Sequence, residues 1–173
     1  GLLAEAGFAV TKIEDPDRPD PTSSATPEHD RRLNGRKRLI TMALNDTRLL
    51  EAIGDARILI TSARPHALAR LGLTPESLFD LNPSLVWVAI TAHGFDGDAA
   101  MRVGFGDDCA AAGGLIGWDD GVPRFLGDAL ADPLTGLRAA RLALAAVTKG
   151  QAGMIDVALA STAAEFAERG GMR

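Results

Sequence analysis

The sequence predicts an α/β fold, a mainly parallel sheet flanked by helices, and three observations predict it. Three apolar runs rich in β-branched residues read as strands: Phe8 to Ile13 (FAVTKI), Ile58 to Thr61 (ILIT) and Leu85 to Thr91 (LVWVAIT). Helix-length stretches with clear end signals separate them. Asp46 to Gly54 opens on a capping acid and closes on glycine, and Thr74 to Leu81 has Thr74 as cap, Pro75 in the first helical position and Glu76 in the first turn. Strands alternating with helices at this spacing make βαβ units, which bury a parallel sheet under helices.

The remaining elements follow in order. The chain opens in a short helix, LLAEAG, followed directly by a strand, which points to a fragment or one part of a split protein. A further strand is expected over Leu39 to Leu44, another over Met154 to Leu159, and a last helix from about Ser161 to Arg169. Residues 14–38 are nearly all polar, proline-rich and charged and read as a loop within a single domain spanning 1–173. That segment ends on Arg31, Arg32, Arg36, Lys37 and Arg38, either a solvated arm or a clamp for phosphates. The run Ala110 to Gly114 would let a helix, or a ligand, lie close against another backbone.

Composition narrows the function. With 46% hydrophobic and 24% charged residues the chain is of ordinary globular make-up, and 173 residues suffice for a real core. A net charge of −5 argues against a general nucleic-acid or membrane-surface binder, so an anionic ligand must be met locally. Cys109 is the only cysteine and reads as a small core residue; without an internal disulfide, a reducing cytoplasm is the expected compartment. No apolar run reaches the roughly 18–20 residues of a membrane span.

The chemistry gathers at LADPLTG, Leu130 to Gly136. Asp132 there is either an N-cap, with Pro133 in the first helical position, or a reagent kept ionised by the helix dipole, and the two roles are compatible. His29 and His66 read as solvated, whereas His93 lies at a strand's C-terminal end, where α/β sheets place ligands. No ligand spacing supports a metal site, and Gly104 and Gly106 lack the strand–turn–helix context of a dinucleotide fingerprint. Arg64 and Arg70, just beyond the ILIT strand, are either ordinary surface arginines or the place where a phosphate would be held.

Several stretches together resemble one family, the family III CoA-transferases, which include formyl-CoA and carnitine CoA-transferases and α-methylacyl-CoA racemases. LLAEAGFAVTKIEDP resembles the family's V-x-K-[VI]-E-x-P pattern, with Val10, Lys12, Ile13, Glu14 and Pro16 in place. NGRKRLITMAL is similar to its N-x-x-K-R-S run, the stretch from DARILITSARP through LNPSLVWVAITAHG to its R-P and L-N-P segments, and KGQAGMIDVAL to G-x-G-Q-x-[VI]-D-V-[AS]-L.

The resemblance implies a truncated Rossmann-like large domain, acyl-CoA and a small carboxylic acid as substrates, and no permanently bound cofactor. It makes Asp132 the nucleophile that forms an aspartyl anhydride and then an aspartyl-CoA thioester. It places Arg70 and Arg64 near the CoA phosphates, Ser62 and Ala63 along the adenine or pantetheine, and Arg36 and Lys37 as further candidates for the same anion. Ser62 and Ala63 replace an asparagine and an aromatic common in the family. Phe105 and Gly106 stand where the racemases carry a histidine, which favours transfer over racemisation. The family is longer and forms interlocked dimers, so a homodimer or partner chain is expected, and a noncatalytic CoA-binding fragment or assembly subunit is the alternative. The acyl groups transferred are not legible.

Overall fold

The computed structural model describes residues 1–171. They fall into two compact units, Gly1–Gly54 and Asp55–Arg173, each taken by itself below.

The first unit begins with a one-turn helix, α1 (Leu2–Glu5), which buries Leu3, and continues into β1 (Thr11–Glu14). The segment expected to be a loop over 14–38 instead contains two helices, α2 (Thr22–Ala25) and α3 (Pro27–Asn34). Pro27 occupies the start of α3, where its missing N–H is not needed. Glu28 and Asp30 in the first turn and Arg31 and Arg32 in the last match the helix dipole. These end signals act without an apolar stripe, so hydrophobic periodicity alone does not register the helix. β2 (Arg38–Thr41) then pairs parallel to β1, Thr11 opposite Arg38.

Helix α4 (Thr47–Gly54) closes the unit, burying Leu49 and Ile53. Asp46 caps it as expected: its Oδ1 accepts from the Arg48 N–H at 2.9 Å, and the Arg48 guanidinium reaches the same carboxylate at 2.6 Å.

The second unit carries β3 (Ile58–Thr61), α5 (Pro65–Arg70), α6 (Pro75–Leu81) and β4 (Val86–Thr91). Thr74 caps α6 reciprocally with Ser77, whose N–H donates to the Thr74 hydroxyl at 3.3 Å while the Thr74 N–H donates to Ser77 Oγ at 3.0 Å. After a 3₁₀ turn at Asp98–Met101 come α7 (Gly106–Ala112), β5 (Ile116–Asp119), β6 (Val122–Phe125), α8 (Ala131–Thr148), β7 (Gly153–Ala158) and α9 (Leu159–Arg169). β3, β4 and β7 form a wholly parallel sheet with β4 in the middle.

β4 is buried on both faces, which is why LVWVAIT reads as an unbroken apolar run rather than an alternating one. Trp87 is fully buried; its indole N–H donates to Thr61 Oγ1 at 2.9 Å and its ring meets Phe95 edge-on at 5.2 Å.

Helix α8 packs on β4, β7 and α9 and buries Ala131, Thr135, Ala139, Ala143 and Ala146, small residues that let it approach closely. α7 crosses α9 at Gly113, where a Cβ would stand only 2.5 Å from the Ala160 carbonyl oxygen and 2.6 Å from Ala163 Cβ. The close backbone approach expected of AAAGG is therefore between two helices. β5 and β6 form an antiparallel hairpin absent from the expected elements. Its two-residue turn, Asp120 (φ 49°) and Gly121 (φ 79°), is the Asp-Gly pair that favours this geometry, a local signal present in the sequence. Among the described residues, no helix is long and apolar enough to cross a membrane.

Candidate active site

A helix that returns the chain to a parallel strand runs antiparallel to that strand, so α8 begins at the C-terminal edge of the β3–β4–β7 sheet. Ser62 follows β3 at that edge and His93 follows β4. Parallel α/β sheets bind ligands there, because the strand ends and helix N-termini converge on an open crevice.

Asp132 is the second residue of α8 and is exposed. It is not the N-cap. Leu130 occupies that place and no side chain caps the helix, because a left-handed turn at Ala129 (φ 47°) starts α8 at Ala131. The Asp132 carboxylate has no hydrogen bond or ion pair among the described residues. Its pKa is raised above the ordinary carboxylate value, first by partial desolvation, then by the neighbouring Asp107 and Asp108. Removal from water and two like charges both disfavour the ionised form.

One turn later, Gly136 has nothing within 4 Å of where its Cβ would stand. A helical side chain leans over the turn preceding it, so glycine at this position leaves the space beside Asp132 uncovered.

Asp107 and Asp108 are themselves fixed. Asp107 Oδ1 accepts from the Ala129 N–H at 2.8 Å, and Asp108 Oδ1 from the Phe105 N–H at 2.7 Å. An Asp pair directly after glycine at a helix start is a local signal for such backbone-binding roles. Cys109, fully buried as expected, has its thiol pushed up to about 11 by burial, then by Asp108 and Asp132. It remains a protonated thiol and donates to the Ala92 carbonyl at 3.7 Å.

Folding also gathers donors that sequence spacing keeps apart. One atom each of His93, Asp108 and Cys109 lies within 4.8 Å of the others. Gly104 packs among them, with its absent Cβ 2.7 Å from Cys109 Sγ and 3.1 Å from His93 Nε2. Within this trio Asp108 Oδ1 accepts from the Phe105 N–H and Cys109 Sγ donates to the Ala92 carbonyl. His66 departs from the expectation of a solvated side chain: it is half-buried, and its Nδ1 is buried without a partner.

The residues expected along CoA divide between the two units. Ser62 and Ala63 are exposed between β3 and α5, Arg64 is the exposed N-cap of α5, and Arg70 is the exposed last residue of that helix. Neither arginine forms an ion pair among the described residues, so both charges are available. A rise of 1.5 Å per residue separates them by about 9 Å along the helix, which would serve different parts of an extended anion. Arg36 and Lys37 belong to the first unit, just before β2; Arg36 is exposed, and Lys37 Nζ already donates to Asn34 Oδ1 at 2.7 Å.

Comparison with known proteins agrees with this architecture. A CAIB/BAIF family protein from Brucella suis superposes with a TM-score of 0.85 at 27% identity, covering 99% of this chain and 51% of that one. A succinyl-CoA–D-citramalate CoA-transferase from Chloroflexus aurantiacus is 29% identical over 91% of this chain and 44% of its own length. A formyl-CoA:oxalate CoA-transferase from Streptomyces avermitilis is 31% identical over 84% of this chain and 39% of its own length. The chain thus spans about half or less of the length of these relatives. The family model for CoA-transferase family III matches residues 1–172, in keeping with the parallel sheet, the α8 start and the motif order, and the chain belongs to that family.

Proposed function

We propose that residues 1–173 form the CoA-handling domain of an enzyme that moves CoA from an acyl-CoA to a free carboxylic acid, with Asp132 as nucleophile. The observation that carries this is the state of Asp132: an unpaired, uncapped carboxylate with raised basicity, at the ligand-binding edge of the sheet, with open space kept by Gly136. A more basic carboxylate is the better nucleophile, and acylation removes the charge that Asp107 and Asp108 disfavour.

The Asp132 carboxylate attacks the donor thioester carbonyl; the new C–O bond forms, the C–S bond breaks, and CoA leaves as thiolate. The thiolate then attacks the Asp132 carbonyl of the anhydride, releasing the donor acid and leaving an aspartyl-CoA thioester. The acceptor carboxylate displaces CoA to form a second anhydride, and the thiolate attacks its acceptor carbonyl, giving the new acyl-CoA and free Asp132. Arg64 and Arg70 hold the CoA phosphates, with Ser62 and Ala63 along the adenine or pantetheine. No resident cofactor is required by these steps. Partners in this reading are an acyl-CoA, a small acid and a second copy or partner chain, in the cytoplasm.

A second reading is a CoA-binding fragment or assembly subunit without turnover, consistent with Arg64 and Arg70 beside β3, exposed and unpaired among the described residues, which bind CoA in either reading. Intact mass of the full-length protein after acetyl-, formyl- or succinyl-CoA and hydroxylamine separates them. Modification at Asp132 in wild type and its absence in Asp132→Ala are expected. An unmodified wild type whose Tm still rises with CoA establishes the second reading instead.

A further inference from the structure

The turn that launches α8 is gripped from outside the helix. Ala129 stands at φ 47°, a left-handed conformation that costs a non-glycine residue free energy and persists only when its surroundings enforce it. Two adjacent residues of α7 do the enforcing. Asp107 Oδ1 accepts the Ala129 N–H at 2.8 Å. Gly106 packs so closely that a Cβ there would lie 2.6 Å from Ala129 Cβ and 2.7 Å from its Cα and carbonyl oxygen. That carbonyl in turn accepts the Asp132 N–H at 2.9 Å. A continuous path of short contacts therefore runs from the Asp107 carboxylate through one strained residue to the backbone of Asp132.

We propose that Asp107 is a positioning residue for Asp132: it pins the Ala129 turn and so aims the nucleophile, without touching substrate. The inference rests on the reading of Asp132 as nucleophile. An error of about 1 Å in a reacting group can cost on the order of a hundredfold in rate, so a pinned launch turn has a purpose at this place and nowhere else along α8.

Charge and hydrogen bonding at Asp107 are separable. The groups around the Asp132 turn are Asp107, Asp108 and Cys109 on α7 and Asp128 directly before Ala129 in the turn itself, with His93 beside Asp108 and Cys109 at the end of β4. Arg138 farther along α8 is paired with Glu165 of α9, and Asp156 of β7 is bonded to the Thr91 hydroxyl and the Phe95 N–H. Asp107→Asn keeps the acceptor oxygen and removes one of the two like charges; Asp107→Ala removes both features.

The test is the rate at which the acyl-CoA that labels wild type modifies Asp132 in the full-length protein, followed by intact mass across pH, with Tm alongside. Asp107→Ala is expected to label at least about tenfold more slowly at every pH. Asp107→Asn, which keeps the acceptor for the Ala129 N–H, is expected to recover most of that loss with Tm unchanged between the two variants, while both variants move the acid limb of the pH profile to lower pH because both remove the Asp107 charge. Wild-type labelling by Asp107→Ala overturns the proposal while leaving Asp132 as nucleophile. So does an Asn variant as slow as the Ala variant at every pH. Should the Ala variant not fold, Asp107→Leu, close in shape but unable to accept the Ala129 N–H, takes its place: labelling slower than in Asp107→Asn at every pH supports the clamp, and labelling as fast as in Asp107→Asn overturns it. No labelling of wild type removes the nucleophile reading and this inference together.

Discussion

Asp20 and Asp132 both stand at the start of a helix, and their surroundings drive them in opposite directions. Asp20, just before α2, shares Lys12 Nζ with Glu14, each contact 2.6 Å, and accepts the Thr22 N–H at 2.9 Å. The Lys12 ammonium first, and the Thr22 bonds next, hold its carboxyl well below the usual range. Asp132 has neither cation nor donor; desolvation first, and Asp107 and Asp108 next, push it up. A carboxylate that serves structure is given partners for its charge, whereas one available for bond formation is left without them. The packing differs in the same way. Lys12 and Asp20 hold their segment through partly exposed side chains, but the wall behind Asp132 is built from backbone contacts that only glycine permits.

The largest effect should come from that wall. Gly113→Val would drive side-chain atoms into the Ala160 carbonyl and Ala163. A loss of roughly 2–4 kcal/mol is expected in urea unfolding. An unchanged midpoint would show that α7 and α9 can part without cost, and the rigid half of the contrast would be lost.

A smaller and opposite effect is expected at the nucleophile. A carboxyl with a raised folded-state pKa costs stability while ionised, and the cost disappears as pH falls below the unfolded value. Asp132→Asn should therefore stabilise the protein near neutral pH, with a gain that shrinks as pH falls toward about 4, while abolishing covalent labelling. Because Asp132 is exposed, solvent screening keeps the gain below about 1 kcal/mol. A variant less stable than wild type at pH 7 would mean that Asp132 has the stabilising partners of a structural acid.

Lys12→Met should give the smallest change, a few tenths of a kcal/mol at neutral pH. The sign is the reverse of that for Asp132. A depressed pKa contributes stability above the unfolded carboxyl value near 4, and this is lost as pH falls through the folded value. Removing Lys12 should flatten the acid side of the stability profile, read by thermal melts from pH 2 to 7. An unaltered profile would leave Asp20 without the ion pair that defines it here.

What can be read without the fold is whatever lies within a turn or a strand of itself. The β3, β4 and β7 runs, the Asp46 and Thr74 caps, and a lone acid at the mouth of an alanine-rich helix are all local patterns. The order of family motifs adds Asp132 by resemblance. The Asp120-Gly121 hairpin and the end charges of α3 were equally local and were overlooked because they lack apolar periodicity. The start of α8 and the sign of the Asp132 shift are of another kind. They depend on Gly106 and Asp107 meeting Ala129 across 22 or more positions of chain, and on how much water reaches one carboxylate. Chain order alone carries the alternating architecture, because hydrogen-bond periodicity and capping act between near neighbours, and motif order adds the acid. The surroundings of that acid come from folding, because desolvation and charge repulsion act through space between residues that chain order does not bring together.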